Sequence, residues 1–201
     1  MSHRTQHLPK ANAFIQFIRE LRYHEASRQI FAIVLIILFS IVGMPNSVAL
    51  YFTGLCLIAL GMYVRMWASG HVKKNKILAT DGPYAYVRHP LYVGNILLLV
   101  GFCFASQWVW SVLLVVGLLW FYYPPAIEYE DRKLRAIFGE EWERWRLNTK
   151  ALIPTRPQAG SAKLSHSQWS FRQSLVQNGE PLILLLVVVC AYVLYARLFV
   201  A

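Results

Sequence analysis

Acidic residues are scarce in this chain. Ten Asp and Glu stand against twenty Lys and Arg in 201 residues, and charged residues of both signs amount to 15% against 57% hydrophobic. Soluble domains carry about 25% charge, so this deficit, with a positive mean hydropathy, excludes an ordinary water-soluble globule. Cysteine is also sparse. Cys56, Cys103 and Cys190 lie inside apolar runs without CxxC spacing or flanking His. Their placement argues against a disulfide framework or a zinc site and makes them packing residues, with no metal expected. Internal repeats and low-complexity tracts are absent. Residues 1–28 are polar and charged, so the first apolar run starts too late for a secretory signal and reads as a retained membrane anchor.

What the chain has instead is apolar residues in blocks, the pattern of an all-α integral membrane protein. Residues 1–28 read as a cytosolic segment. In it Phe14, Ile15, Phe17, Ile18 and Leu21, beside Arg19 and Arg22, form an amphipathic helix on the membrane surface. Residues 29–69 hold two spans, 29–43 and 47–69, joined by the uncharged turn Met44-Pro45-Asn46. The stretch 93–123, about 31 residues, is too long for one span at ~1.5 Å per residue and reads as a helical hairpin turning at Ser106-Gln107. Pro124-Pro125 is expected to stiffen or kink its exit. A charged helix over 126–147, with Ile127, Leu134, Ile137, Trp142 and Trp145 as apolar positions, is interrupted at Phe138-Gly139. Residues 155–180 read as a Ser/Gln/Gly-rich linker and 181–201 as a last span, for about five transmembrane helices in all.

Lys and Arg cluster in 1–28, 70–91 and 128–180, while the turns near Pro45 and Gln107 have none. The positive-inside rule therefore puts the N-terminus, the 70–91 loop and the charged helix in the cytoplasm. This topology, with attraction to anionic membrane lipids, accounts for the net charge of +10 and sets nucleic acid aside as a partner. Arg65 is expected to snorkel to the interface. His71, with Lys73, Lys74 and Lys76, reads as a lipid-facing basic loop.

One segment stands out: Gly82-Pro83-Tyr84-Ala85-Tyr86-Val87-Arg88-His89-Pro90-Leu91-Tyr92-Val93-Gly94. It puts an Arg-His pair at a membrane edge, where ionisable residues are functional by default. His89 and Glu130 lie almost symmetrically about the turn near Gln107, and two antiparallel helices return the chain to the face it left. Tyr84, Arg88, His89 and Tyr92 should therefore meet Glu128, Glu130 and Asp131. Such a site offers cations for a carboxylate and carboxylates for an ammonium, hydroxyl or sulfonium group, with Tyr84, Tyr86 and Tyr92 for stacking. On these residues alone the ligand is a nucleotide-like cytosolic cofactor.

Leu78-Ala79-Thr80-Asp81-Gly82-Pro83-Tyr84 with Arg88-His89-Pro90-Leu91-Tyr92-Val93-Gly94 resembles the signature of the isoprenylcysteine carboxyl methyltransferase and phospholipid N-methyltransferase superfamily. So does Glu130-Asp131, Leu134, Phe138-Gly139, Glu141-Trp142 and Trp145, with tryptophans where the family usually has tyrosines. The resemblance covers roughly residues 60–154. It implies a small helical membrane bundle enclosing S-adenosylmethionine at the cytoplasmic face, with 70–154 as the methyltransferase core. By matching position it implies a cofactor pocket of Lys76, Ile77, Leu78, Ala79, Tyr84, His89, Pro90, Leu91, Tyr92 and Glu130. Arg88 and Glu130 are the expected catalytic residues, Arg88 with His89 at the cofactor's amino-acid end and Glu130 at its amino or ribose groups. The acceptor would be lipophilic or membrane-associated and enter from the bilayer.

Two departures bear on the acceptor. Carboxyl methyltransferases of the family carry an arginine about four residues before the glutamate, where this chain has Ala126, and their Arg-Val-Pro is here Asn148-Thr149-Lys150. Phospholipid amine, isoprenoid or quinone precursor, lipid carboxylate and small thiol all remain open as acceptors. The rival enzyme class is an NADPH-dependent membrane sterol or enone reductase, whose Arg-His-Pro-Asn-Tyr motif is followed by an acid; this chain has Leu91 and Asn95 at those places. A non-enzymatic membrane scaffold is the third reading.

Overall fold

A computed structural model describes Thr5, Leu8, Pro9 and residues 11–72, 77–156 and 169–199. It is all-helical among these residues, with α1 (Ala13–Tyr23), α2 (Glu25–Val42), α3 (Val48–His71), α4 (Pro90–Ser106), α5 (Trp110–Phe138), α6 (Glu140–Asn148) and α7 (Glu180–Phe199). A 3-10 turn covers Gly82–Ala85 and a π-helical turn Arg172–Gln177. α3, α5 and α7 are long and apolar enough to cross a bilayer, and α1 with α2 makes a fourth candidate, bent by 73°. α4 has 17 residues, about 26 Å at ~1.5 Å per residue, short of a hydrocarbon core of about 30 Å. The expected five spans are thus three or four by length and composition, with α4 a shorter apolar helix.

Glycines decide how the hairpin neighbour packs. Gly54 and Gly61 of α3 face Gly101 and Gly94 of α4, each pair one heptad apart. A Cβ on Gly54 would lie 2.5 Å from the Gly101 carbonyl oxygen, and one on Gly61 2.8 Å from that of Gly94. Small residues are what lets membrane helices approach this closely. At the far end Gln107, at φ 54°, caps α4, and its side-chain carbonyl accepts from the backbone N–H of Asn46 (3.1 Å) and Ser47 (2.9 Å). One side chain so ties the two uncharged turns together.

α5 runs on through Pro124-Pro125, where the exit was expected to stiffen or kink, and so joins the hairpin's second arm to the helix expected from 126. An interior proline removes a donor to the carbonyl four residues back. For Pro125 that carbonyl is Phe121, which instead accepts from Arg22 Nε of α1 at 2.9 Å. The interruption at Gly139 (φ 52°) is where it was expected, and α6 turns away there. Trp142 and Trp145 of α6 are buried with Ala68, Leu78 and Tyr84 in a small second core at the polar end, while Ile137 is exposed.

The expected linker is docked where it is described. Trp169 lies over Gly70, its Nε1 donates to the Met66 carbonyl (3.3 Å), and Asn178 Nδ2 donates to that of Ser69 (3.0 Å). His71 is likewise no lipid-facing residue. It is buried, bonded to the Trp67 carbonyl at 2.9 Å, and Gly82 packs on its ring, where a Cβ would meet Nε2 at 2.6 Å. Lys73, Lys74 and Lys76 lie outside the described residues.

Candidate active site

Helices α4 and α5 leave from the Gln107 turn, so His89 at the start of α4 meets the far half of α5. Asp131 takes Arg88 and His89 together: Arg88 Nη2 donates to Oδ2 at 2.8 Å, and His89 Nε2 lies 3.0 Å from Oδ1. Glu130 takes the other side of the ring. Its Oε2 accepts from the Tyr92 hydroxyl at 2.9 Å and lies 3.6 Å from His89 Nδ1. The His89 and Tyr92 rings stack at 5.3 Å. Pro90, at the first position of α4, suits a helix start because its missing N–H is needed by no intrahelical partner.

The motif loop is also held to the backbone carbonyls of residues 149–151. Arg88 N–H donates to the Lys150 carbonyl (2.9 Å), His89 N–H to that of Ala151 (3.0 Å), and Arg88 Nη1 to that of Thr149 (2.6 Å). Every partner on 149–151 is a carbonyl, which any residue type supplies. The departure at Asn148-Thr149-Lys150 therefore leaves this framework intact.

Burial separates the two carboxylates. Asp131's side chain is 16% exposed and both its oxygens are engaged, whereas Glu130's is 46% exposed and its Oε1 has no partner among the described residues. His89 is buried. Burial works to lower its pKa, but hydrogen bonds with Asp131 and Glu130 and their charge outweigh it, and the imidazole stands above its ordinary value. Burial, with the nearby Glu130 charge adding to it, pushes the Tyr84 hydroxyl well above the usual range.

Of the expected pocket residues, His89, Tyr92 and Glu130 come together, with Pro90 buried beneath them. Leu78 and Tyr84 lie in the adjoining second core with Ala79 and Leu91 packed against it. Ile77 and Tyr86 are exposed, and Lys76 lies outside the described residues. Arg88 is a clamp between Asp131 and Thr149. Glu128 is turned to α1, where it accepts from the Tyr23 hydroxyl at 2.6 Å.

Sequence reasoning missed three residues. Arg28 of α2 stands over the Tyr92 ring, 4.6 Å from its centroid. Arg65 does not snorkel: it points inward to Glu180 of α7 and Asn95 of α4. Glu180's one signal was its position as the last charge before an apolar run. Four buried polar atoms also stand without partners among the described residues: Thr80 Oγ1, Trp142 Nε1, Tyr122 Oη and Gln16 Oε1. Native interiors rarely leave such groups unpaired; Trp142 Nε1, buried with Tyr84 in the second core, and Glu130 Oε1 fit a polar ligand bordered by aromatic rings. No group of three or more His, Cys, Asp or Glu able to hold a metal occurs among the described residues.

Residues 49–141, which contain both halves of this site, match the model of the phospholipid methyltransferase family. Among curated proteins, the chain is similar to the protein-S-isoprenylcysteine O-methyltransferase of Schizosaccharomyces pombe, 35% identical over 112 residues, 50% of this chain and 48% of that protein. It is similar to the cobalt-zinc-cadmium resistance protein CzcN of Cupriavidus metallidurans, 36% identical over 104 residues, 50% of this chain and 47% of that one. It is also similar to the methanethiol S-methyltransferase of Crocosphaera subtropica, 37% identical over 80 residues, 37% of this chain and 28% of that one. The chain spans about half the length of the first two of these relatives. No solved structure matches it. Through residues 49–141, a little under half of its length, this multi-helix chain is similar to the phospholipid methyltransferase family.

Proposed function

We propose that the protein transfers a methyl group from S-adenosylmethionine to a lipophilic or membrane-associated acceptor, at the site formed by His89, Tyr92 and Glu130. The observation that carries this reading is Glu130: a carboxylate fixed on one oxygen by Tyr92 and His89, and open on the other, between the two signature halves. Relatives named for isoprenylcysteine and methanethiol methylation favour the same class of chemistry. The basic segments 1–28, 70–91 and 128–180 favour a cytoplasmic N-terminus and site.

S-adenosylmethionine, when bound, supplies an electrophilic methyl group on a sulfonium. Glu130 Oε1 is suited to accept from its ammonium or a ribose hydroxyl, a charge-assisted bond stronger than a neutral one. Trp142 Nε1, buried with Tyr84 in the second core, is a donor left for another of its polar atoms. Leu78, Tyr84, Leu91 and Trp142 exclude water beside the site. For a displacement of this kind, alignment accounts for much of the acceleration, and that is what a fixed carboxylate beside an apolar wall provides. Arg88 acts at one remove, joining the motif loop to Asp131 and the 149–151 backbone. That makes Arg88 a positioning residue rather than a catalytic one.

Incubating the purified protein with methyl-labelled S-adenosylmethionine and native lipid extract is the direct test. A labelled lipid-soluble product is expected, and its structure names the acceptor. Tight NADPH binding with no S-adenosylmethionine binding would overturn the reading.

A further inference from the structure

Helix α7 lies outside the matched residues, yet it brings a carboxylate into the bundle's polar end. Glu180, its first residue, is 2% exposed and accepts from Arg65 of α3 twice, from Nε at 3.1 Å and from Nη2 at 2.9 Å. The remaining arm of the same guanidinium, Nη1, donates to Asn95 Oδ1 of α4. To reach both, Arg65 passes over Gly94, where a Cβ would stand 2.6 Å from its Cγ. Gly94 closes the Gly82–Gly94 motif, so the motif's last glycine is the gap that admits this arginine.

Stability alone does not call for such a pair. Two buried charges lose their hydration, and apolar side chains of similar volume often pack as well or better. Arg65 sits near its helix end, where snorkelling to water was open to it. Charges turned into a membrane bundle and paired there mark functional positions.

We propose that Glu180 is a positioning residue of the site: through Arg65 and Asn95 it clamps the first turn of α4, which carries His89 and Tyr92, onto α3. Asn95 is three residues beyond Tyr92 and so on the same side of the helix. Tyr92 in turn holds Glu130 through its hydroxyl and stacks on His89. The C-terminal helix thereby joins the working unit, although the family match ends before it. This role rests on the methyl-donor reading of the His89–Glu130 site.

Two variants test the clamp. Arg65→Met/Glu180→Met substitutes apolar volume and leaves no orphaned charge, and Glu180→Gln keeps the hydrogen-bonding shape while removing one charge. His89 is followed by nitrogen NMR titration in detergent without ligand. In both variants its midpoint is expected to fall by about half a unit or more as its carboxylates move away. S-adenosylmethionine affinity by calorimetry should fall about tenfold alongside. An unchanged His89 midpoint in either variant that keeps the wild-type Tm overturns the clamp. If the wild-type protein binds no S-adenosylmethionine but the midpoint still moves, the methyl-donor reading falls and the clamp stands.

Discussion

Replacing Glu130 by Gln keeps the side chain's shape and leaves an amide oxygen to accept from Tyr92. Only charge is lost. A hydrogen bond to a charged group contributes about 1.5–3 kcal/mol. Glu130's side chain is 46% exposed, and water screens a group that open, so the lower end applies. About 1.5 kcal/mol is roughly a tenfold weaker Kd for S-adenosylmethionine, with only a small fall in Tm as His89 loses one of its two carboxylate neighbours. Asp131→Asn is the contrasting variant. That side chain is 16% exposed and paired with Arg88 at 2.8 Å and His89 at 3.0 Å. Breaking a largely buried pair costs about 3 kcal/mol, at the low end of the range. For a chain of this size that lowers Tm by roughly 6–12 °C. Calorimetry with S-adenosylmethionine and thermal melts followed by tryptophan fluorescence, both in detergent, separate the two effects. Wild-type affinity in Glu130→Gln with affinity lost in a stably folded Asp131→Asn would mean the carboxylates had been assigned the wrong way round. Unchanged affinity in both would remove this pair from cofactor binding.

Three further outcomes follow from the packing. Arg22→Ala leaves the Phe121 carbonyl freed by Pro125 without its donor; a loss of about 1–3 kcal/mol is expected, read as a lower Tm and faster proteolysis within α1. Gly54→Ala puts a Cβ 2.5 Å from the Gly101 carbonyl oxygen, which must separate α3 from α4; overpacking of this kind costs about 1–3 kcal/mol, and an unchanged Tm would refute the close approach. His89 binds its proton more tightly when folded than its ordinary value of 6.5. Its contribution to stability is therefore whole below about pH 6.5 and fades as pH rises through the raised folded value, so Tm should fall across that window and His89→Asn should flatten the fall.

Much of the site was legible because a hairpin obeys simple geometry. Equal arms about Gln107 return the chain to its starting face, and His89 opposite Glu130 and Asp131 follows from counting residues. The helix over 126–147 was legible as charged and helical, but not as the continuation of α5. Local rules say that Pro124-Pro125 kinks or breaks a helix, and the partner for the freed carbonyl is Arg22, about a hundred residues away in the chain. Arg65 was misread for the same reason. A cation near a span's end snorkels unless something inside receives it, and Glu180 lies 115 residues further on.

The sequence by itself determined the membrane class, the charge asymmetry and the two signature halves, because hydropathy blocks and short motifs are local properties of the chain. Tertiary structure decided which charges face inward and which partners they take. It made Asp131 the clamp and left Glu130 open, although the two are neighbours in sequence. It also brought α7 to the motif and seated Trp169 on Gly70. Gly54, Gly61, Gly94 and Gly101 set how closely α3 and α4 approach and let Arg65 through, and a residue's partner across a bundle is not written in its neighbours.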